Sequence, residues 1–448
     1  MKARRRSFWA WGFEDRLPSS EDQRGLLAMA SPFFPGAELG PRELPEDSAV
    51  RMPEPRLATP DQLSEWTEQD PRTRALHTYG RAYRDIARGF EGDFGRAPDL
   101  VATPTTEDQL AATLEWCERE RVAAVPFGGG TSVVGGVEVE ELGDMRGVLT
   151  IDLGGFGGVR EVDRRSLSAR IGAGSMGPAL EAELAEHGLT LRHYPQSFEL
   201  STLGGWLATR AGGHFATRYT HIDDLTQSIR MITPRGSWQS LRVPASGAGP
   251  SPDRWVLGSE GALGIITEAW MRIRPRPTRR AGATLKFAKL ENAVDATRAL
   301  AQSRLYPDNC RLLDSREALL HKVSMDMKHV LVLGFESAGD PVDSLIERAV
   351  ELAQDHGGQL SGEIVHTDRT TVDSQRRSQE AGAWRSAFID APYLLNTAVS
   401  VGLIVDTFET ACTWTAFPEL RRKVIAAVNE VAGRECGGAL VTMRFTHV

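Results

Sequence analysis

Glycine and hydroxyl residues are concentrated in one short stretch, Pro126-Phe-Gly-Gly-Gly-Thr-Ser132. Because glycine has no Cβ, the backbone N–H groups of such a loop can approach a phosphate closely, and Thr131 and Ser132 add hydroxyl donors. The stretch lacks the Gly-Lys-Ser/Thr of a P-loop and the spacing of a Rossmann fingerprint. It therefore predicts a diphosphate site of another type, with an ordinary glycine-rich turn as the alternative.

Two further segments place small residues beside hydroxyls. They cover residues 194–213 and 258–268. This composition is typical of a backbone that lies against a flat cofactor, because bulky side chains would hold the cofactor away. Three such segments favour a cofactor site over three unrelated turns.

A β-α-β unit is predicted to position the first segment. Residues 99–103 form an apolar run, and Thr106 with Gln109 has the spacing of a capping box at a helix start. A strand over 122–127 then leads directly into the glycines. From residue 281 onward, strand and helix patterns alternate, which favours an antiparallel sheet with helices on one side.

The length and the net charge of the chain exclude several classes of protein. The 448 residues predict two or three domains, and 52 basic against 60 acidic side chains give a net charge of -8. This balance argues against nucleic-acid binding. The four cysteines are widely separated, which predicts reduced thiols. The sequence contains no cluster of histidines, so it does not predict a metal site. No window approaches the roughly 18 apolar residues of a membrane span, so we expect a cytoplasmic protein.

The three segments, in this order and spacing, resemble the FAD-binding domain of the vanillyl-alcohol oxidase and p-cresol methylhydroxylase superfamily. Within it, Gly204-Gly-Trp-Leu-Ala-Thr-Arg-Ala211 resembles the alkyldihydroxyacetonephosphate synthase family, because related 2-hydroxy-acid dehydrogenases usually carry Asn in place of Trp206 and Arg210. The stretches Trp9-Ala-Trp-Gly12, Cys310-Arg-Leu-Leu-Asp314 and Thr407-Phe-Glu-Thr410 with Trp414 add to this resemblance.

The resemblance implies an α+β fold. An irregular N-terminal arm over 1–75 would precede a two-subdomain flavin-binding domain of the p-cresol methylhydroxylase (PCMH) type over 95–277. A ferredoxin-like α+β cap or substrate domain would follow over 278–448. The family has a catalytic tyrosine and a run of histidines after a motif like Met443-Arg-Phe-Thr-His447, and this sequence ends at Val448. We therefore expect the cap domain to be incomplete at its C-terminal end.

The resemblance also implies the site residues. FAD is expected to be held without a covalent link, because the 126–132 loop has no histidine, and Gln196 stands where the family commonly has Asp. The expected FAD contacts are Pro126, Phe127, Gly128, Gly129, Gly130, Thr131, Ser132, Pro195, Gln196, Ser197, Ser201, Thr202, Gly204, Gly205, Ala208, Thr209, Arg210, Ala211, Glu260, Gly261, Gly264, Ile265 and Ile266.

Two arginines match the family's substrate positions. Arg311 resembles the catalytic arginine, and Arg444 resembles the one that engages the substrate. A planar guanidinium suits phosphate and carboxylate oxygens because it donates two parallel hydrogen bonds. Without the resemblance, a surface arginine explains either residue as well. His447 is a candidate proton carrier by residue type, with an exposed histidine as the alternative.

The implied reaction exchanges the acyl group of acyl-dihydroxyacetone phosphate for a fatty alcohol through a flavin N5 adduct, as in ether lipid synthesis. Two alternatives stay open: an FAD-dependent 2-hydroxy-acid dehydrogenase or oxidase of the D-lactate or glycolate type, and a flavin-binding remnant without turnover. The expected partner is a small, lipid-like phosphate substrate. Transient contact with a membrane surface and a homodimer are further expectations, and no metal or nucleic acid is expected.

Overall fold

A computed structural model describes residues 4–215, 217, 221–244, 246–368, 390–446 and 448. His447, the candidate proton carrier, lies outside the described residues, as does the 369–389 part of the predicted cap domain.

The described residues form both helices and strands. The α-helices are α1 (Ser20–Ala30), α2 (Pro71–Leu76), α3 (Tyr83–Phe90), α4 (Glu107–Glu120), α5 (Gly177–Glu186), α6 (Leu203–Thr209), α7 (Asp253–Val256), α8 (Leu290–Gln302), α9 (Ser315–Leu320), α10 (Asp343–Asp355) and α11 (Phe417–Glu435). Residues 390–399 are also helical. None of the described helices is long and apolar enough to cross a membrane.

Most of the strands form three sheets. The strands are β1 (Thr67–Glu68), β2 (Leu100–Ala102), β3 (Ala123–Phe127), β4 (Val148–Asp152), β5 (Val159–Asp163), β6 (Ser168–Gly172), β7 (Leu189–Thr190), β8 (Thr226–Thr233), β9 (Gly236–Gln239), β10 (Ile265–Arg272), β11 (Arg274–Pro275), β12 (Arg279–Phe287), β13 (Asn309–Leu313), β14 (His329–Ser337), β15 (Gln359–Leu360) and β16 (Val365–Asp368).

The first sheet contains the predicted β-α-β unit. Its order is β1-β2-β4-β3, and β2 and β3 both run parallel to β4, which lies between them. Helix α4 begins where the Thr106 hydroxyl accepts a hydrogen bond from the Gln109 N–H at 3.2 Å. In a capping box the Gln109 side chain would accept a hydrogen bond from the Thr106 N–H. Here it accepts instead from the N–H of the preceding residue, Thr105, at 2.8 Å. The unit places the end of β3 at the start of the glycine loop.

The second sheet is fully antiparallel, in the order β5-β6-β10-β8-β9. Helices α5 and α6 pack against it through buried aliphatic side chains such as Leu180 and Leu207. This sheet and the first form the two subdomains of the predicted flavin domain.

The third sheet has the order β13-β14-β12-β15, and β16 also pairs with β12. Helices α8 and α10 bury their apolar faces against one side of it. An antiparallel sheet with helices on one side, after two subdomains, confirms the predicted α+β fold.

The N-terminal arm is more regular than the sequence predicts. Helix α1 forms because the Ser19 hydroxyl accepts from the Asp22 N–H and the Asp22 carboxylate accepts from the Ser19 N–H. Upstream of it, Trp9 is 1% exposed and packs edge-on against Phe90 with ring centroids 5.1 Å apart. The arm, predicted to be irregular, therefore contains a capped helix and a buried tryptophan.

The arm also contacts a segment that lies much later in the chain. The Trp11 N–H donates to Asn396 Oδ1 at 2.8 Å, and Asn396 Nδ2 donates to the Trp11 carbonyl at 3.0 Å. Nearby, the Arg16 guanidinium lies 3.7 Å from the centre of the Tyr393 ring. The arm therefore packs against the helical stretch over 390–399.

A buried ion pair connects the flavin domain to the third sheet. Arg192 makes a two-pronged hydrogen bond to Glu336 of β14, and Arg280 lies 3.5 Å from the same carboxylate. Burial alone would lower the pKa of Arg192, but the charge and hydrogen bonds of Glu336, together with the nearby Tyr194, raise the pKa overall. Arg192 also stacks on Phe215, 3.8 Å from the ring centre. This cluster fixes how the two domains meet.

We expect Glu336→Ala to destabilise the protein, because it leaves the buried Arg192 charge without its carboxylate. Breaking such a pair costs about 3 kcal/mol. The matched control is Glu351→Ala, which removes an exposed carboxylate paired with Arg348 and should change stability by less than about 0.5 kcal/mol. Urea unfolding followed by tryptophan fluorescence measures both, and equal midpoints for the two variants would contradict the role of the pair.

Candidate functional site

The first glycine segment packs directly against the second. A Cβ added to Gly129 would lie 1.7 Å from the Leu200 carbonyl oxygen, and one added to Gly128 would lie 2.4 Å from the Thr202 hydroxyl oxygen. Real Cβ atoms essentially never come closer than 3.0 Å to such neighbours. Glycine is required at these positions because two stretches of chain meet there.

The third segment closes against the other two. The Gly258 N–H donates to the Leu207 carbonyl at 3.1 Å, and the Glu260 N–H donates to the Ala208 carbonyl at 3.0 Å. A Cβ on Gly261, whose φ is +89°, would lie 2.9 Å from Cγ of Pro126. The structure thus brings the three predicted segments together, and we call residues 126–132, 195–211 and 258–266 the glycine site.

The loop after β3 has the backbone form of an anion site. Gly130 has a φ of +64°, and a Cβ there would strike the Phe127 ring at 2.3 Å. The Ser132 hydroxyl accepts from the Gly136 N–H at 3.3 Å, which turns the chain after the loop. A glycine in the left-handed region lets successive N–H groups face one side, the arrangement that binds phosphate oxygens. The loop therefore fits a diphosphate.

Several hydroxyls of the second segment form hydrogen bonds to other groups of the same segment. The Ser201 hydroxyl accepts from the indole N–H of Trp206 at 2.7 Å and donates to the Ser197 carbonyl at 2.9 Å. The Thr202 hydroxyl caps α6 by accepting from the Gly205 N–H, and Thr209 donates to the Gly205 carbonyl. The sequence predicts backbone lying against a cofactor here, and it does not identify these partners of the hydroxyls.

The remaining predicted cofactor residues lie in and around these segments. Pro195 begins the turn that carries Gln196 and Ser197, and Gly204 sits against Ala173 of the second subdomain. Arg210 ends α6 with a φ of +55° and donates to Asp223 at 2.8 Å, and Ala211 follows it. The contact of each residue with FAD stays a prediction.

The start of β10 contributes backbone to the site. Ile265 and Ile266 are 5% and 6% exposed, and their side chains belong to the apolar cores of the first and second sheets. A Cβ on Gly264 would lie 2.7 Å from the Ile232 carbonyl oxygen. These residues can therefore offer a ligand their backbone, while their side chains hold the two subdomains together.

Strand alternation places Arg311 opposite the helices of the third sheet. Its neighbours Cys310 and Leu312 are buried under those helices, so Arg311 points from the other face. It is 1% exposed, and Nη2 donates to the His214 carbonyl at 3.1 Å. His214 directly follows the second glycine segment. The structure thus brings Arg311 next to the flavin domain.

Arg444 joins Arg311 on the same face. The 443–445 segment extends the sheet beside β13: the Phe445 N–H donates to the Leu312 carbonyl at 2.8 Å, and Leu313 pairs with Arg444. Directly paired residues share a face with residues two positions away on the same strand. Leu313 and Arg311 are two positions apart, so both arginines face the flavin domain.

The charges of the two guanidinium groups act on each other. Burial and then the nearby Arg444 charge lower the pKa of Arg311 to about 10. Arg444 is itself held by Glu317 at 3.4 Å, and the other Glu317 oxygen accepts from the Thr442 hydroxyl at 2.6 Å. Two close cations, of which only Arg444 pairs with Glu317, favour binding of an anion. The sequence predicts no role for Glu317, although Asp314, three residues earlier, caps the helix α9 on which Glu317 lies.

Comparison with known proteins gives this arrangement a family context. Residues 98–242 match the family model described as "FAD binding domain", and residues 276–448 match "FAD linked oxidases, C-terminal domain". An alkyldihydroxyacetonephosphate synthase of Dictyostelium discoideum is 35% identical over 299 residues, covering 64% of this chain and 49% of that protein. The synthase of Caenorhabditis elegans is 29% identical over 383 residues, covering 79% of this chain and 62% of that protein.

A solved structure of an alkyldihydroxyacetonephosphate synthase has the same fold. It matches with a TM-score of 0.82 at 24% identity, covering 99% of this chain and 87% of that one. Against the two curated relatives, the chain spans about half of the first and somewhat under two thirds of the second.

Gly129→Ala should disrupt the glycine site, because its Cβ would meet the Leu200 carbonyl, which is backbone and cannot rotate away. We expect a loss of about 3 kcal/mol of stability together with loss of FAD binding. Gly247→Ala is the control, since a Cβ there meets nothing within 4 Å. Urea unfolding and quenching of FAD fluorescence measure the two effects. Wild-type stability and FAD affinity in Gly129→Ala would show that the segments do not meet as described.

Proposed function

Because the chain belongs to the FAD-binding proteins of the vanillyl-alcohol oxidase and p-cresol methylhydroxylase superfamily, we propose that it is an alkyldihydroxyacetonephosphate synthase-like transferase. It would exchange the acyl group of acyl-dihydroxyacetone phosphate for a fatty alcohol, a step of ether lipid synthesis. The observation that carries this proposal is the pair Arg311 and Arg444 on the face of the third sheet directed at the flavin domain.

FAD held at the glycine site would supply the covalent and electron-accepting chemistry without a net change in its redox state. The glycine segments fit the cofactor because they offer closely packed backbone, with a turn at Gly130 suited to its diphosphate. We propose that FAD is bound non-covalently, since no histidine stands in the loop over 126–132.

The two arginines would bind and orient the phosphate-bearing substrate. Arg311 remains charged at neutral pH because its pKa, though lowered, is about 10. Its hydrogen bond to the His214 carbonyl ties its position to the flavin domain. Glu317 holds Arg444 in a partly buried position, where an ion pair with phosphate is stronger than in open water. We assign Arg311 to the reacting end of the substrate and Arg444 to binding.

The predictions about location and assembly remain proposals. A cytoplasmic enzyme with long-chain substrates would need transient contact with a membrane surface. Ile404 and Phe408, each 67% exposed, support such a contact because they present large apolar side chains to solvent. A homodimer stays a prediction.

A direct assay tests the function. The purified chain, loaded with FAD, is incubated with acyl-dihydroxyacetone phosphate and hexadecanol, and in parallel with D-lactate and a dye acceptor. We expect formation of the alkyl ether and release of a fatty acid, with no reduction of the dye. Dye reduction by D-lactate would instead indicate the 2-hydroxy-acid dehydrogenase. Bound FAD without either reaction would indicate a flavin-binding remnant.

Arg444→Ala should weaken substrate binding, because it removes a guanidinium that would pair with the phosphate. A hydrogen bond to a charged group contributes about 1.5–3 kcal/mol, so we expect KM to rise by roughly 10- to 100-fold with a smaller change in kcat. Arg422→Ala is the control, since Arg422 lies exposed on α11 and pairs with Glu419 on the same helix. Steady-state kinetics with varied acyl-dihydroxyacetone phosphate measure KM and kcat for both variants. An unchanged KM for Arg444→Ala would show that Arg444 does not bind the substrate.

A further inference from the structure

Two arginines lie behind the diphosphate loop, on the side of the arm. Nη2 of Arg6 donates to the Gly129 carbonyl at 2.9 Å, and the Arg81 N–H donates to the Ser132 carbonyl at 2.7 Å. Both residues lie outside the 98–242 stretch that matches the FAD-binding family model. Two carbonyls of the loop are thus held toward the arm.

The direction of these carbonyls fixes the direction of two N–H groups. In a planar trans peptide, the C=O of one residue and the N–H of the next point in opposite directions. When Arg6 binds the Gly129 carbonyl, the Gly130 N–H must therefore face away from the arm. The Val133 N–H is fixed in the same way by the bond to Ser132. Hydrogen bonds on the arm side of the loop therefore orient the N–H groups that would contact a diphosphate on its other side.

The contact at Arg81 is close and well supported. A Cβ on Gly80 would lie 2.1 Å from the Ser132 carbonyl oxygen, so only glycine permits this approach. The Arg81 side chain holds the turn, since Nη1 donates to the Gly80 carbonyl at 2.7 Å and Nη2 donates to the Ser7 carbonyl at 3.4 Å. Arg81 therefore joins the arm, the turn and the loop.

Both guanidinium groups carry charge that nearby carboxylates do not neutralise directly. Arg81 is 4% exposed, and Nε of Arg6 is fully buried. Within the part of the chain that the structure describes, neither side chain has a carboxylate oxygen within 4.0 Å; Asp152 and Asp85 act on them only at longer range. Burial, and then the charge of Arg6, lower the pKa of Arg81 to about 9. An anion on the loop would compensate these buried charges.

We propose that Arg6 and Arg81 are positioning residues for the diphosphate of FAD: they orient the loop's N–H groups from behind and supply positive charge beneath it. The N-terminal arm is thus part of the cofactor site. This inference rests on the FAD site of the proposed function and is independent of the transfer reaction.

Arg6→Met tests the proposal, because it keeps most of the side chain's length and removes the guanidinium. The full chain is freed of flavin, and the dissociation constants of FAD and of riboflavin, which has no phosphate, are measured by fluorescence quenching. We expect FAD affinity to fall about tenfold or more and riboflavin affinity to stay within about twofold, because the lost interaction acts on the diphosphate. Arg5→Met is the matched control, since Arg5 is exposed and pairs with Glu14 and Asp47 at the surface.

Three results would overturn the proposal. These are an unchanged FAD affinity in Arg6→Met, an equal loss of FAD and riboflavin, and an FAD loss of the same size in Arg5→Met. If circular dichroism shows that Arg6→Met does not fold, the same FAD and riboflavin affinities are measured for Arg6→Lys. Lysine keeps the charge but changes the bond to Gly129, so a loss of about threefold for FAD alone supports the proposal and an unchanged FAD affinity overturns it.

The same measurements separate this proposal from the proposed function. If the wild-type chain binds FAD but transfers no alkyl group, only the transferase proposal fails. If it binds FAD and Arg6→Met binds equally well, only the role of the arm fails. A wild-type chain that binds no FAD overturns both.

Discussion

Backbone meets backbone where Gly129 lies against the Leu200 carbonyl, with no space between them for even one carbon atom. This contact brings together the end of β3 in the first subdomain and the start of α6 in the second. The third segment can then hydrogen-bond to the end of α6 before it enters β10. The relative position of the two subdomains, and hence the shape of the cofactor site, depends on this close approach.

The position of Arg311, the residue proposed for the substrate, depends on a different constraint: side chains alternate between the two faces of a strand. Cys310 and Leu312 are buried under the helices of the third sheet, and this burial forces Arg311 to the opposite face. The ion pair between Arg192 and Glu336 then determines which part of the flavin domain that face meets. A charged residue can be buried next to the flavin domain because the apolar residues beside it hold the strand in register.

Local pattern was sufficient to predict the elements but not all of their contacts. The β-α-β unit and the alternation after residue 281 follow from periodicity, which acts over a few residues. Composition indicates that each of the three glycine segments suits a flat cofactor, while their close approach is seen only in the structure. The hydrogen bond between Trp206 and Ser201 and the burial of Ile265 and Ile266 depend on packing. The helix of the arm begins at a local capping box of Ser19 and Asp22, a short-range signal that the weak periodicity of the arm obscures. Arg6 gave no signal, because its partner, the Gly129 carbonyl, is 123 residues away and nothing in a single sequence identifies it.

The paired hydrogen bonds between Trp11 and Asn396 span 385 residues. A ribosome makes the chain from its N-terminus, so Trp11 leaves the exit tunnel long before its partner exists. Until residue 396 emerges, the aromatic side chains around Trp9 lack part of their final cover. The docking of Trp11 can therefore be completed only after residue 396 has been translated, long after Arg6 and its partner Gly129 have both been made.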